Sequence, residues 1–175
     1  MKKPFLVIFD GPMGAGKSTV AKLLQKKLKG KTALISLDNL KKIVSDYKLD
    51  SILHLDLASK SGATMTNLYL KEGINVIVEK AFTREEFLKA FLKLIKGKPK
   101  IFIYQIEVSL KKGLERVEKR ENEKIKRSML KNKLKEKVLR NYSHYNEFKY
   151  KRAKIFNSEK LSRKKILNEI LEDFK

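Results

Sequence analysis

The chain has no cysteine and no tryptophan, only three prolines, and half as many acidic residues as basic ones. Without cysteine there is neither a disulfide nor a thiolate metal site. Long apolar runs are missing as well, and no stretch approaches the roughly 18 apolar residues of a membrane span. Met1-Lys2-Lys3 followed by an apolar segment has the outline of a secretion signal. That segment stops at Asp10, short of the roughly 7–15 apolar residues such a signal uses. These exclusions predict a soluble, cytoplasmic chain, and 175 residues suffice for one domain, 1–175, with a sizeable core.

What is abundant is lysine. The formal net charge is +22 and the isoelectric point is near 10.0. Such a field attracts polyanions and holds nucleic acid non-specifically at low salt. The same charge arises where a proteome uses lysine as its general solubilising residue, and both readings stay open. Arginine is scarce beside lysine. Specific phosphate and base readers favour arginine, so the positions of the few arginines carry more information.

Apolar periodicity alternates between strand and helix, the pattern of a parallel sheet covered on both faces. Strands are expected at 5–9, 32–36, 74–79, 100–107 and 153–157. The third is β-branched almost throughout, as a central strand should be. Helices are expected after residues 11–18 to near Gly30, at 38–44, 51–71, from Thr83 to about Ile95, from Ser109 through Val117, and from Ser162 to near Phe174. Thr83 and Glu86 are spaced as a capping box, and Ser109 and Ser162 are N-caps. Residues 121–140 are mostly charged and read as a solvated helix pair or a flap, giving a basic lid-like insertion at about 118–140.

Gly11-Pro12-Met13-Gly14-Ala15-Gly16-Lys17-Ser18 is a complete G-x-x-x-x-G-K-[ST] phosphate loop between an apolar strand and a helix. That order aims backbone N–H groups and a positive helix end at one phosphate chain. Gly11, Met13, Gly14, Ala15, Gly16, Lys17, Ser18 and Thr19 are the expected nucleotide-binding residues. Lys17 should reach the β and γ phosphates, and the Ser18 hydroxyl should ligate Mg²⁺. The bland alternative, a glycine-rich turn, does not explain the flanking strand and helix.

In an open parallel sheet, ligands lie beyond the carboxyl ends of the strands, where Asp10, Asp38 and Glu79 fall. Asp38 is placed to bind an acceptor hydroxyl and take its proton, or to cap a helix beginning at Asn39, and the two are compatible. Glu79 is placed to hold Mg²⁺ through water, or is a solvated strand end. Asp10 is read as a brace for the loop. Arg116 and Arg120 share one helix face and Arg127 follows in the flap, where they can neutralise a transferring phosphoryl group. The alternative is a surface helix of ordinary ion pairs. His54 and His144 read as surface or structural. Tyr142, Tyr145, Phe148 and Tyr150 either stack on bases or, the favoured reading, pack the last helix against the sheet.

Taken in order, the first strand with GPMGAGKST, then ISLDNLKK, NVIVEKAF, IEVSLKKGLERVEKRE and IFNSEKLS resemble the small P-loop kinases. These include shikimate, gluconate, adenylate and thymidylate kinases and chloramphenicol phosphotransferase. The likeness covers nearly the whole chain, with the phosphate loop as its one highly specific motif. It implies a three-layer α/β sandwich with a five-stranded parallel sheet and a helical lid. It also implies ATP, Mg²⁺ and γ-phosphoryl transfer to a hydroxyl or phosphate of a small acceptor such as a nucleoside, nucleotide or metabolite. By position it implies that Asp38 binds the acceptor, that Arg116 and Arg120 serve the transferred group, and that Asn157 and Ser158 back the adenine ring. Two departures stand out: Lys80 follows Glu79 where an Asp-Gly often ends the strand, and the lid is long and lysine-rich. Asp38 with Lys41 resembles the Asp-x-x-Arg of phage-type polynucleotide kinases, with lysine for arginine. Glu79-Lys80-Ala81 faintly resembles the Glu-Arg-Ser of deoxynucleoside kinases. A 5′-hydroxyl polynucleotide kinase is therefore the alternative, and a nucleic-acid-stimulated ATPase a third reading.

Overall fold

Successive residues of the first strand point to opposite faces of a sheet, and here both faces are covered, so no polar residue interrupts Leu6-Val7-Ile8-Phe9. The computed structural model describes residues 3–45, 52–82, 84–122, 129–145 and 149–175. Its strands are β1 (Phe5–Asp10), β2 (Thr32–Ser36), β3 (Asn75–Glu79), β4 (Lys100–Glu107) and β5 (Lys154–Asn157). All pair in parallel in the order β2-β3-β1-β4-β5. The helices are α1 (Lys17–Lys27), α2 (Leu37–Lys41), α3 (Ile52–Lys71), α4 (Glu85–Lys93), α5 (Leu110–Asn122), α6 (Met129–Tyr145) and α7 (Arg163–Leu171), with a 3₁₀ turn at Glu172–Phe174.

On one face Val7, Phe9, Ile77, Tyr104, Ile106 and Phe156 meet Val20 and Leu24 of α1, Val117 of α5, Val138 and Tyr142 of α6, and Ile166 and Ile170 of α7. On the other, Leu6, Ile8, Ile35, Val76, Val78 and Ile103 meet Ala63 and Leu70 of α3 and Leu88 and Phe91 of α4. Each such side chain contributes about 1.5–3 kcal/mol by leaving water. The expected three-layer α/β sandwich with a five-stranded parallel sheet is the architecture observed. Among the described residues no helix is long and apolar enough to cross a membrane.

Three local expectations change. Asp38 is not an N-cap: α2 begins at Leu37 with Ser36 as its N-cap, which puts Asp38 in the first turn. The reason is tertiary. Leu37 is fully buried against α3, where a Cβ added at Gly62 would run into its side chain. The helix also stops at Lys41 rather than at Val44. The capping box rests on Thr83, which lies outside the described residues, and Arg84 is the N-cap of α4. Ser109 and Ser162 do cap, accepting from the backbone N–H of Lys112 (3.3 Å) and Lys165 (3.2 Å). Finally, Val138 is completely buried, so the second half of α6 belongs to the core rather than to a solvated flap.

Candidate active site

The phosphate loop joins the end of β1 to α1, which starts at Lys17 with Gly16 as its N-cap in left-handed conformation. Lys17 is buried, and its Nζ donates to the carbonyls of Gly11 (2.7 Å) and Pro12 (2.9 Å), closing the loop on itself. Burial pushes the Lys17 ammonium below its ordinary pKa. Glu79, Asp10 and Asp38 pull it back, and Arg120 adds to the depression. Asp10 takes no part in lining an open surface. It is fully buried and accepts from the N–H of Gly11 (2.8 Å), the N–H of Phe82 (2.8 Å) and Gln105 Nε2 (3.0 Å). Burial raises its carboxyl pKa, against the pull of Gln105, Phe82, Lys17 and Gly11. Asp10 thus ties the loop to β3 and β4, the bracing role read from the sequence.

Glu79 is buried, which sets aside the solvated strand end. It lies in register between Ser36 of β2 and Phe9 of β1, and its Oε2 accepts from the Ser18 hydroxyl at 2.9 Å. Ser18 and Glu79 are a pair of hard oxygen donors at the foot of the loop, fit to hold Mg²⁺, the carboxylate through water. Among the described residues no group of three or more histidine, aspartate or glutamate side chains gathers to hold a metal. A cation here would therefore draw much of its shell from phosphate oxygens and water.

Asp38 is half exposed and accepts from Lys41 Nζ at 3.0 Å, while Lys41 itself is buried. Partial burial raises the Asp38 carboxyl. The charge and hydrogen bond of Lys41, with the fields of Lys17 and Lys80, more than offset this and hold it below the ordinary aspartate value. Lys80 is buried, its backbone N–H bound to the Phe9 carbonyl (3.1 Å) and its Nζ 5.1 Å from the centre of the Phe82 ring. Desolvation, then Lys41, lowers its pKa to about 8 against the pull of Asp38 and Asp10. Lys137 of α6 joins this group. Burial lowers its pKa, Asp38 raises it, and Lys42, Lys41 and Arg120 oppose Asp38.

Arg116 and Arg120 of α5 have different surroundings. Arg116 donates from Nη1 to the Gly14 carbonyl (3.2 Å) and Ser158 Oγ (2.9 Å), and from Nη2 to the Ser158 carbonyl (2.8 Å). It therefore links α5 to the phosphate loop and to the turn after β5. Arg120, one helical turn on, acts electrostatically on both Lys17 and Lys137. Asn157 Oδ1 accepts from the N–H of Glu159 (2.9 Å) and Lys160 (3.2 Å), so its side chain shapes the turn that presents Ser158. Arg127, Phe148 and the side chain of His144 lie outside the described residues.

Sequence reasoning missed how α6 grips the loop. The Met13 N–H donates to Asn141 Oδ1 (2.9 Å), and the Tyr142 hydroxyl lies 2.9 Å from the Met13 carbonyl. Tyr142 passes over Gly113, where an added Cβ would collide with its hydroxyl. Tyr142 and Tyr145 are buried, and the Tyr145 hydroxyl lies with Gln105 and Asp10. Tyr142 and Tyr145 therefore pack α6 against the loop and its brace, and Tyr142 also joins the core that the sheet shares with α7.

No protein of curated function matches the sequence. Among solved structures, the chain is similar to the crystal structure of APE1195, with a TM-score of 0.76 at 15% identity over 98% of this chain and 95% of that one. It is also similar to the Mycobacterium tuberculosis APS kinase CysC in complex with AMPPNP and APS, with a TM-score of 0.67 at 18% identity over 97% of this chain and 96% of that one. The Pnkp1/Rnl/Hen1 RNA repair complex gives 0.65 at 20% identity over 87% of this chain and 50% of that one. At such identities the shared property is the fold, a parallel sheet between helices with a phosphate loop after β1. The family model described as an AAA domain matches residues 6–144, from β1 into α6, and the chain belongs to that family.

Proposed function

We propose that the protein is an ATP- and Mg²⁺-dependent cytoplasmic kinase that transfers the γ-phosphoryl group to a hydroxyl or phosphate of a small acceptor. One observation carries this reading: the braced phosphate loop and the Asp38–Lys41 pair follow β1 and β2, the two strands that flank β3, and lie within electrostatic reach of each other. Lys17 exchanges the Gly11 and Pro12 carbonyls for β- and γ-phosphate oxygens, and the loop amides of Gly14, Gly16, Lys17 and Ser18 meet the phosphate chain. The Ser18 hydroxyl, and Glu79 through water, would hold Mg²⁺, which would supply charge neutralisation on the phosphate chain. Asp38, held ionised, accepts a hydrogen bond from the acceptor hydroxyl. Its low pKa suits orienting the nucleophile more than early proton removal, as a loose transition state requires. Arg120 neutralises charge on the transferred group, and Arg116 with Ser158 and Asn157 shapes the base side.

The two arginines should separate kinetically. Arg120→Ala should lower kcat about 10²–10³-fold with little change in ATP affinity. Arg116→Ala should chiefly weaken ATP binding, by about ten-fold, because it loosens Gly14 and the turn at Ser158. Steady-state kinetics with calorimetric ATP titration checks both; the reverse pattern would exchange their roles.

A second reading, the 5′-hydroxyl polynucleotide kinase, is favoured by the Lys41 contact to Asp38 and by the +22 charge. It predicts labelling of 5′-hydroxyl RNA from γ-labelled ATP with a steep salt dependence. If a small acceptor is labelled at low salt and RNA is not, this second reading fails.

A further inference from the structure

A lysine-rich composition spreads ammonium groups over the surface, where water stabilises them; it does not place them inside, where an unpaired one is strongly disfavoured. Among the described residues three lysines are buried, namely Lys17, Lys41 and Lys80, at 8%, 8% and 4% exposure. All three lie beyond the carboxyl ends of β1, β2 and β3, and Asp38 acts on each of them. Lys17 belongs to the phosphate loop. Lys80 directly follows Glu79, whose register partners are Ser36 and Phe9, so Asp10 flanks it on one side and the start of α2 on the other.

The nearby carboxylates are already engaged. Asp10 is filled by Gly11, Phe82 and Gln105, and Asp38 by Lys41. Lys80 Nζ rests over the Phe82 ring, 5.1 Å from its centre. Lys137 comes from α6, one turn before the Asn141 and Tyr142 that grip Met13, and the carboxylate acting on it is again Asp38. Lys41, Lys80 and Lys137 thus outnumber the carboxylates that act on them, Asp38 and, for Lys80, Asp10. A neutral alcohol leaves that excess uncompensated, whereas a phosphate ester matches it.

We infer that the acceptor carries a phosphate ester of its own beside the receiving hydroxyl, with Lys80 and Lys137 as its counter-ions and Lys41 shared with Asp38. The inference rests on the kinase reading of the same cleft. To test it, the phosphate loop is filled with Mg²⁺ and a non-hydrolysable ATP analogue, so that it cannot take the probe. Matched probes are then titrated calorimetrically at about 0.15 M salt, which screens distant charge. The pairs are adenosine with adenosine 3′-monophosphate and ribose with ribose 5-phosphate, and a 5′-hydroxyl dinucleotide is added.

At least one phosphorylated member should bind about ten-fold or more tighter than its neutral partner. Lys80→Met should remove most of that preference while leaving analogue affinity intact. Lys137→Met, at a half-buried helix position, should do the same in a variant whose folding is not in question. Tighter binding of the dinucleotide than of the monomers assigns the phosphate to a nucleic-acid backbone, and the reverse order assigns it to a small metabolite. Equal affinity within every pair, binding of neither member, or a preference that survives both substitutions overturns the inference. Failure of the kinase reading is read separately, as no transfer from labelled ATP to any of these probes.

Discussion

Asp38→Asn should leave ATP binding within about a factor of three and slow phosphoryl transfer by about 10²–10⁴-fold. Asparagine has nearly the shape of aspartate, so α2 and the cover over Leu37 stay in place. What changes is charge. The carboxylate that accepts from Lys41 at 3.0 Å, and whose field also reaches Lys17, Lys80 and Lys137, is lost. The acceptor hydroxyl then meets a cluster of ammonium groups with nothing to accept its proton. Single-turnover transfer from labelled ATP, beside a calorimetric ATP titration, measures the two effects independently. Turnover at the parent rate would remove Asp38 from the chemistry. The pH dependence follows in sign. Asp38 has a depressed pKa, so the part proposed for it in catalysis should be present at neutral pH and be lost only as pH falls below the ordinary aspartate range near ~3.9.

Gly14→Ala should damage the loop severely, costing about 100-fold or more in nucleotide affinity. Gly14 has φ 79°, which disfavours any side chain, and a Cβ there would come within 2.6 Å of the Gly113 carbonyl oxygen and 2.8 Å of its Cα. Both obstacles are backbone of α5, so relief requires the loop and helix to separate. Separation would also strain the Arg116 bond to the Gly14 carbonyl and the Tyr142 contact to Met13. Gly16→Ala is the control. It has φ 98° with nothing within 4 Å of the added Cβ, so it incurs backbone strain without collision. Nucleotide titration and thermal unfolding of both variants should show Gly14→Ala as clearly worse. Equal behaviour would mean that contact with α5 does not hold the loop.

The fold was largely legible because its signals are local. β4 runs from Lys100 to Glu107 as expected, its start marked by Gly97 and Pro99 just before it. The phosphate loop and the caps at Ser109 and Ser162 are likewise written in a few adjacent residues. The expectations that changed depend on distant partners. The first turn of α2 is set by burial of Leu37 against Gly62, not by the capping preference of Asp38. Asn141 and Tyr142 act on Met13 from 128 and 129 residues away, a distance no spacing rule spans. Lys80 was visible as a departure after Glu79, but Lys137 is one lysine among many, and only the fold brings it within the field of Asp38.

The central claim is that the cleft hands a phosphoryl group to something other than water, and the measurement closest to it is a ratio. With γ-labelled ATP, Mg²⁺ and a panel of phosphorylated and neutral hydroxyl compounds, label on organic product is counted against ADP formed. The account predicts close to one label transferred per ADP with at least one acceptor. Label recovered only as inorganic phosphate, in step with ADP, would contradict it.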